Sequence, residues 1–446
     1  MWDDLRGYLS FLERQTDLIT VARPVKTRFE VAAYARRTSD LEGPAFLFEE
    51  IENYPGWRVA AGLFSARRRV AAILDGPTSG CWRGLHEAIN HPVQPKRVSD
   101  GPCKEIIWKQ DDIDLTRLPI PWHSEKDAAP YITAAVDFIR DPDDRTSLAG
   151  IHRMQLKGKD RLGFWAGGTR SASRALAKQE KNGKGLEIAV AVGVEPRIVM
   201  ASQAKVPYGT DKIAIAGGLK KRPVDMARCE TIDVEVPASS EIVIEGELIP
   251  HHREDEGPFR EFPGCYGHRT ASPILQVKAI TMRRNPIYLT ALAGVPDTEN
   301  NLIAWPSICE LIYRRATLVT PEIREVNTTG NRYYTALVSV RKRVEGEPPT
   351  ILSTILGSIP QVKFCIVVDD DANVHDPRKV EWAIQTRVQP HEDVYIYPVM
   401  AGVALDPSAP MPGHSSKMGF DATVPAGAPR ERYEKAYVPG VEAVSW

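Results

Sequence analysis

No stretch of the 446-residue chain approaches the ~20 consecutive apolar residues that a membrane-spanning helix needs. The opening "MWDDLRGYLSFLERQ" is acidic and amphipathic, not basic and then apolar, which argues against a signal or transit peptide. Cysteine is sparse: Cys81, Cys103, Cys229, Cys265, Cys309 and Cys365 form neither a Cys-x-x-Cys pair nor a zinc-ligand spacing. They read as reduced thiols, so the expected location is cytoplasmic. The ten histidines make no His-x-x-x-His pair, and Gly-x-Ser-x-Gly, Walker and Gly-x-Gly-x-x-Gly motifs are all missing. A basic excess is missing too, with 57 Lys and Arg against 58 Asp and Glu, which disfavours nucleic acid as a partner. "GGLKKR" at 217–222 is short and isolated and reads as a solvated turn. Repeats and low-complexity tracts are absent.

What is present is an ordinary globular balance, 43% hydrophobic and 26% charged, in a chain long enough for two or three cores. The punctuation suggests three domains. Residues 1–115 mix helices (Trp2 to Gln15, with apolar Leu5, Tyr8, Leu9 and Leu12; then Phe29 to Ser39) with the strand-like "PAFLFEEI" and "RVAAGLF". Residues 116–315 are strand-rich. In "ETIDVEVP", Ile232, Val234 and Val236 alternate with polar residues as on a half-buried strand. "SEIVIEGEL", "SPILQVKAITMRR" and "PIYLTALAG" predict further strands of one sheet. Residues 316–446 turn α/β: "KFCIVVDDD" is a buried strand ending in acids, and "HDPRKVEWAIQTRV" opens a helix with Asp376 as N-cap and Pro377 first. The final "PAGAPRERYEKAYVPGVEAVSW" predicts a tail or arm. The fold class expected is α+β.

Chemistry concentrates in "EDEGPFREFPG", Glu254 to Gly264, where four carboxylates and Arg260 surround a Gly-Pro turn. Between the predicted strands, such a loop aims side chains from a rigid base. Glu256 and Glu261 are close enough that both ionise only at a cost, so one is suited to be a general acid. A solvated acidic loop is the plain alternative; Phe259, Phe262 and Tyr266 argue against simple exposure. Asp369, Asp370 and Asp371 have the residue type for Mg²⁺, but acids at a strand end before a helix serve capping and solubility equally well.

"EGPFREFPGCYG" resembles the signature of the UbiD family of prenylated-FMN-dependent decarboxylases. The resemblance extends through "GPAFLFEEI", "SARRRVA", "PYITAAV", "GIHRMQ", "VPASSEIVIEGEL" and "SSKMGFDATVP", nearly end to end. It implies an N-terminal α+β domain, a central split β-barrel of flavin-reductase type and a C-terminal α/β domain, with the cofactor between the last two. It also implies a reversible non-oxidative decarboxylation of an aromatic, heteroaromatic or α,β-unsaturated acid. In the family the cofactor bonds covalently to the substrate, acts as electron sink when CO₂ leaves, and a glutamic acid protonates the carbon. Carried over by motif, the Glu-Arg-Glu network is Glu256, Arg153 and Glu261, with Glu261 the proton donor. Ile151, His152, Arg153, Trp165, Ala166, Lys212 and Lys417 fall at cofactor positions. Glu299, Asn300 and Asn301, in "GVPDTENNLIAW", fall at substrate positions. A homodimer, possible pairing with a homologous subunit, and a flavin prenyltransferase as cofactor supplier are further implications.

The family's divalent metal has lost its ligands here. Leu148 stands for the asparagine and Lys212 for the glutamate, and no histidine lies between His152 and His251. Two readings follow. Either Lys212 supplies the counter-charge that the metal gave, or the chain is a non-catalytic partner subunit or a paralogue with another cofactor and reaction.

Overall fold

The computed structural model describes residues 2–165, 167, 170–295, 297–329 and 334–444, and these form two compact units, one up to Glu310 and one from Leu311 onward.

In the first unit the helix Leu5–Arg14 buries Leu5, Tyr8, Leu9 and Leu12, one face of a 3.6-residue period, and is capped by Asp4 accepting from Gly7 N at 2.8 Å. With the helix Glu30–Leu41 it packs beside a sheet ordered Leu18–Val21, Ala45–Phe48, Arg58–Ala61 and Ile287–Leu289. That last strand is a correction, since "PIYL" was expected in the central sheet. Both sides of Thr270–Met282 are already paired there, by Ile242–Glu256 on one side and by Arg161–Trp165 and Ile106–Lys109 on the other. The chain therefore leaves the sheet after Met282 and lies parallel to Arg58–Ala61.

The central sheet is antiparallel throughout and curls into a half-barrel. Its order is Tyr131–Ile132, Arg153–Leu156, Arg161–Trp165, Thr270–Met282, Ile242–Glu256, Leu186–Val192, Val136–Arg140 and Ser147–Gly150, with Ile106–Lys109 on the side of Thr270–Met282. Gly246 sits at a bulge where a Cβ would lie 2.3 Å from Gln276 O, so this crossing needs glycine.

In "ETIDVEVP" the burial alternates as expected, with Ile232, Val234 and Val236 inside. Only Glu235–Pro237 is strand, however, and it pairs with Asp225–Arg228 outside the central sheet. The preceding amides are taken by side chains: Glu230 N and Thr231 N donate to Glu245, and Asp233 N donates to Glu187. "GGLKKR" is likewise not simply a turn. It begins in the last turn of the helix Lys212–Lys220, which ends on left-handed Lys221, and Lys220 is buried.

The second unit carries a sheet ordered Ile323–Thr328, Thr335–Val340, Phe364–Asp369, His414–Ala422 and Val394–Ala401, parallel at its centre and antiparallel at its edges. The helix Pro377–Arg387 starts as read, with Asp376 accepting from Arg378 N at 3.0 Å. Its last residue, buried Arg387, pairs with Asp369 at 3.0 Å and Asp371 at 2.6 Å, while Arg341 takes Asp370 at 2.8 Å. From Pro425 the chain is largely exposed. Among the described residues no helix is long and apolar enough to cross a membrane. All six cysteines are free, and Cys265 is the exposed one.

Candidate active site

Glu256 is the last residue of Ile242–Glu256, facing Thr270 across the ladder; Arg153 opens Arg153–Leu156, facing Trp165. Each base is thus held by a sheet. After Glu256 the chain turns at Gly257 (φ +91°), a conformation that suits glycine. It then forms a tight loop in which Gly267 N donates to Phe259 O, Glu261 N to Cys265 O and Gly264 N to Glu261 O, each at 2.9 Å. Glu254 and Asp255 belong to the strand, so the loop proper is shorter than the charged stretch suggested.

Arg153 gathers the acids. Its Nε and Nη2 donate to the two oxygens of Glu256 at 2.8 and 2.7 Å, and its Nη1 contacts Glu261. The guanidinium carbon lies 4.3 Å from the Trp165 ring centroid and 4.9 Å from that of Phe259, which in turn packs on Tyr131 at 4.6 Å. Glu256 is 0% exposed, Glu261 8% and Arg153 9%. Burial in an aromatic surround strengthens each charge-assisted bond and excludes water. One guanidinium cannot neutralise two carboxylates, so the trio has room for one proton.

A second cluster lies next along the chain. His152 is buried, with Nδ1 2.7 Å from Asp137, and its Nε2 has no hydrogen-bond partner among the described residues. Lys212, the first residue of its helix, donates to Ser202 O at 2.7 Å. Burial pushes its ammonium down to about 8, Arg170 pushes the same way, and Asp137 opposes. Arg170 also approaches Ile151 O at 3.4 Å. Lys212 and Arg170 bring two cations to this cluster, a charge that suits an anion, with Asp137 beside them. Leu148 is buried and apolar, and among the described residues no group of three or more His, Cys, Asp or Glu side chains could hold a metal.

The other expected site residues are placed differently. Ala166 lies outside the described residues. Lys417 belongs to the second unit; it is buried, donates to Leu356 O at 2.8 Å and Ile359 O at 2.9 Å, and so caps the helix Glu347–Ser358. Glu299 is fully buried and accepts from Leu292 N at 3.1 Å and Phe64 N at 3.4 Å. Burial pushes its carboxyl up to about 7 against those bonds. Asn300 N donates to Leu292 O at 3.1 Å and Asn301 Nδ2 to Gly294 O at 2.9 Å, so all three residues brace the turn at 292–294. Sequence reasoning missed Asp137, Arg170, Tyr131 and Asp127. Asp137 had a signal, an acid inside the apolar run "AAVDFI"; the others had none.

Models for the N-terminal, Rift-related and C-terminal domains of 3-octaprenyl-4-hydroxybenzoate carboxy-lyase match residues 9–89, 96–296 and 304–422. The structure is similar to that of the UbiD-class enzyme HmfF from Pelotomaculum thermopropionicum in complex with FMN (TM-score 0.92, 39% identity, 99% of each chain covered). It is also similar to an evolved dimeric form of HmfF in complex with prFMN (TM-score 0.88, 37% identity, covering 100% of this chain and 99% of that one). The 3,4-dihydroxybenzoic acid decarboxylase of Enterobacter cloacae matches with a TM-score of 0.89 at 28% identity over 99% of each chain. In sequence, the anhydromevalonate phosphate decarboxylase of Methanothermobacter thermautotrophicus is 34% identical over 381 residues, 84% of this chain and 88% of that protein. With the domain models matching along most of its length and these relatives matching it nearly end to end, the chain belongs to the UbiD family of carboxy-lyases.

Proposed function

We propose that the chain catalyses reversible, non-oxidative decarboxylation of an aromatic, heteroaromatic or α,β-unsaturated carboxylic acid with prenylated FMN as cofactor. The observation that carries this reading is the buried trio in which Arg153 binds Glu256 through two donors and Glu261 through a third. When bound, prenylated FMN supplies the electron sink for the pair left behind by CO₂. We assign the cofactor's phosphate to the cations Lys212 and Arg170, with Ile151, His152 and Trp165 alongside. A divalent cation there would meet the charges of Lys212 and Arg170, so we assign the counter-charge to those side chains.

The protein's own groups do the rest. Arg153, packed against Trp165 and Phe259, orients a substrate carboxylate with the Nη hydrogens that Glu256 and Glu261 do not take. Glu256 takes both paired donors of Arg153 and keeps that fork in place. Glu261, with a single contact, is the carboxyl placed to carry the proton and deliver it to the carbon that loses CO₂. An evolved form of HmfF is dimeric, and a homodimer, or pairing with a homologous subunit, together with a flavin prenyltransferase as cofactor source, belongs to the same reading.

The test is to purify the protein from cells that make prenylated FMN, identify the bound flavin by mass spectrometry, and screen aromatic and unsaturated acids for CO₂ release. Bound prenylated FMN and a turned-over acid, with Glu261→Gln folded, loaded and inactive, are expected. Turnover that survives Glu261→Gln, or a flavin-free protein, would overturn the reading.

A further inference from the structure

The turn Ser124–Asp127 holds an acid that the trio does not include. Its neighbours Glu125 and Lys126 are exposed, yet Asp127 is only 3% exposed. Asp127 Oδ2 accepts from Ser124 N at 2.9 Å and closes the turn; Oδ1 accepts from Arg260 N at 2.8 Å and reaches the acidic loop. Two more bonds join the same pieces, Ala128 N to Pro258 O at 2.9 Å and Lys126 N to Tyr266 Oη at 3.2 Å. The loop's internal bonds fasten Phe259 O and both the N and O of Glu261. The amide between those two residues is held from outside, by a carboxylate.

That amide matters because the residues on either side of it, Phe259 and Glu261, both touch Arg153. We propose that Asp127 is a positioning residue: by binding the Arg260 amide it fixes Phe259 and Glu261 against Arg153, and so aims the proton-carrying carboxyl. This rests on the decarboxylase reading for its chemistry but not for its geometry.

The hold depends on charge. A carboxylate accepts from both amides, whereas a protonated carboxyl turns one oxygen into a donor and loses one of them. Burial pushes Asp127 up to about 6; its bonds to Arg260 N and Ser124 N oppose this, as do the charges of Arg260 and Arg153. The folded value lies above the ordinary 3.8 of an aspartate, so the hold is present above about pH 6 and is lost as pH falls through it. Arg260 and Arg153 are the cations that face it. His123, pushed down to about 4 by burial, stays neutral, and Tyr131, pushed up by burial, is neutral throughout.

Hydrogen exchange with mass spectrometry on Asp127→Asn and Asp127→Ala tests the hold directly. In Asp127→Asn, residues 258–267 should exchange about tenfold faster while Ile242–Glu256 is unchanged. On an acid that the wild type turns over, kcat should fall roughly ten- to a hundredfold with KM little changed, and the acid limb near pH 6 should disappear. Glu125→Gln, in the same turn but exposed, should change neither. Unchanged exchange at 258–267 in the Asn variant, or an acid limb that stays in place, would overturn the proposal. If no acid is turned over, the decarboxylase reading fails, and exchange alone then decides whether Asp127 holds the loop. If Asp127→Ala fails to fold, the Asn variant, near-identical in shape, carries the test.

Discussion

Arg153 and Trp165 are register partners on adjacent antiparallel strands, and the guanidinium carbon of one lies 4.3 Å from the ring centroid of the other. The sheet that aligns their backbones therefore also brings the ring to the guanidinium. Replacing the indole with Leu removes about 1 kcal/mol of cation–π attraction, a roughly fivefold loss of turnover, and Phe recovers part of it. Steady-state kinetics of Trp165→Leu and Trp165→Phe check this ordering; equal rates for both variants would mean that packing, not the ring face, orients Arg153.

Lys212 titrates where its charge is needed. Its folded value, pushed down to about 8 from 10.5, means that the ammonium is present below that pH and is lost above it. Binding of FMN, followed by fluorescence quenching, should weaken as pH rises through about 8. In Lys212→Met the affinity should be lower and should lack this step. A step of unchanged size in the variant would assign the titration to another group.

Glu299 is shifted the other way, upward. Its folded value, about 7, is above the ordinary 4.5 of a glutamate, so the native state binds the extra proton between these pH values and this group's contribution to stability falls as pH rises from 4.5 to 7. Urea midpoints at pH 5 and pH 7 should differ less in Glu299→Gln than in the wild type. Because an amide offers one acceptor oxygen to Phe64 N and Leu292 N, the variant should lose about 1–3 kcal/mol overall.

Arg387 is the cation of Asp369 and Asp371. Arg387→Met leaves Asp369 buried without its guanidinium and should cost the second unit about 3–5 kcal/mol, read from its unfolding midpoint. Added magnesium should not shift the wild-type midpoint, since these acids already face arginines; a rise would point to a metal role for them.

Much of this was readable because local chemistry and burial agreed. The helix Pro377–Arg387 began at Asp376 as its cap predicts, and the face of Leu5–Arg14 followed its apolar spacing. Glu256 and Glu261 stood out because Phe259 and Phe262 among charges imply a covered loop. Arg153 is a hundred residues away, and nothing local says that it meets them; the resemblance alone placed it. Asp127 was illegible, since an acid in "SEKDAAP" looks like any polar turn until the chain returns at Arg260 to cover it. "ETIDVEVP" and "PIYL" misled for one reason: alternation and apolarity report burial, not which partner supplies the hydrogen bonds.

The pairing of Arg58–Ala61 with Ile287–Leu289 has a consequence for biosynthesis. On the ribosome the N-terminal sheet emerges with its Arg58–Ala61 edge open, and that edge stays open until the segment near residue 287 is made, ~10–45 s later at typical elongation rates. During that interval "RVAAGLF" is an unpaired apolar edge of the kind that recruits other chains. Fragments that stop short of Ile287 should therefore accumulate as aggregates, and expression should improve at low temperature or with added chaperone, because the strand that shields the beginning of the protein is among the later parts to be synthesised.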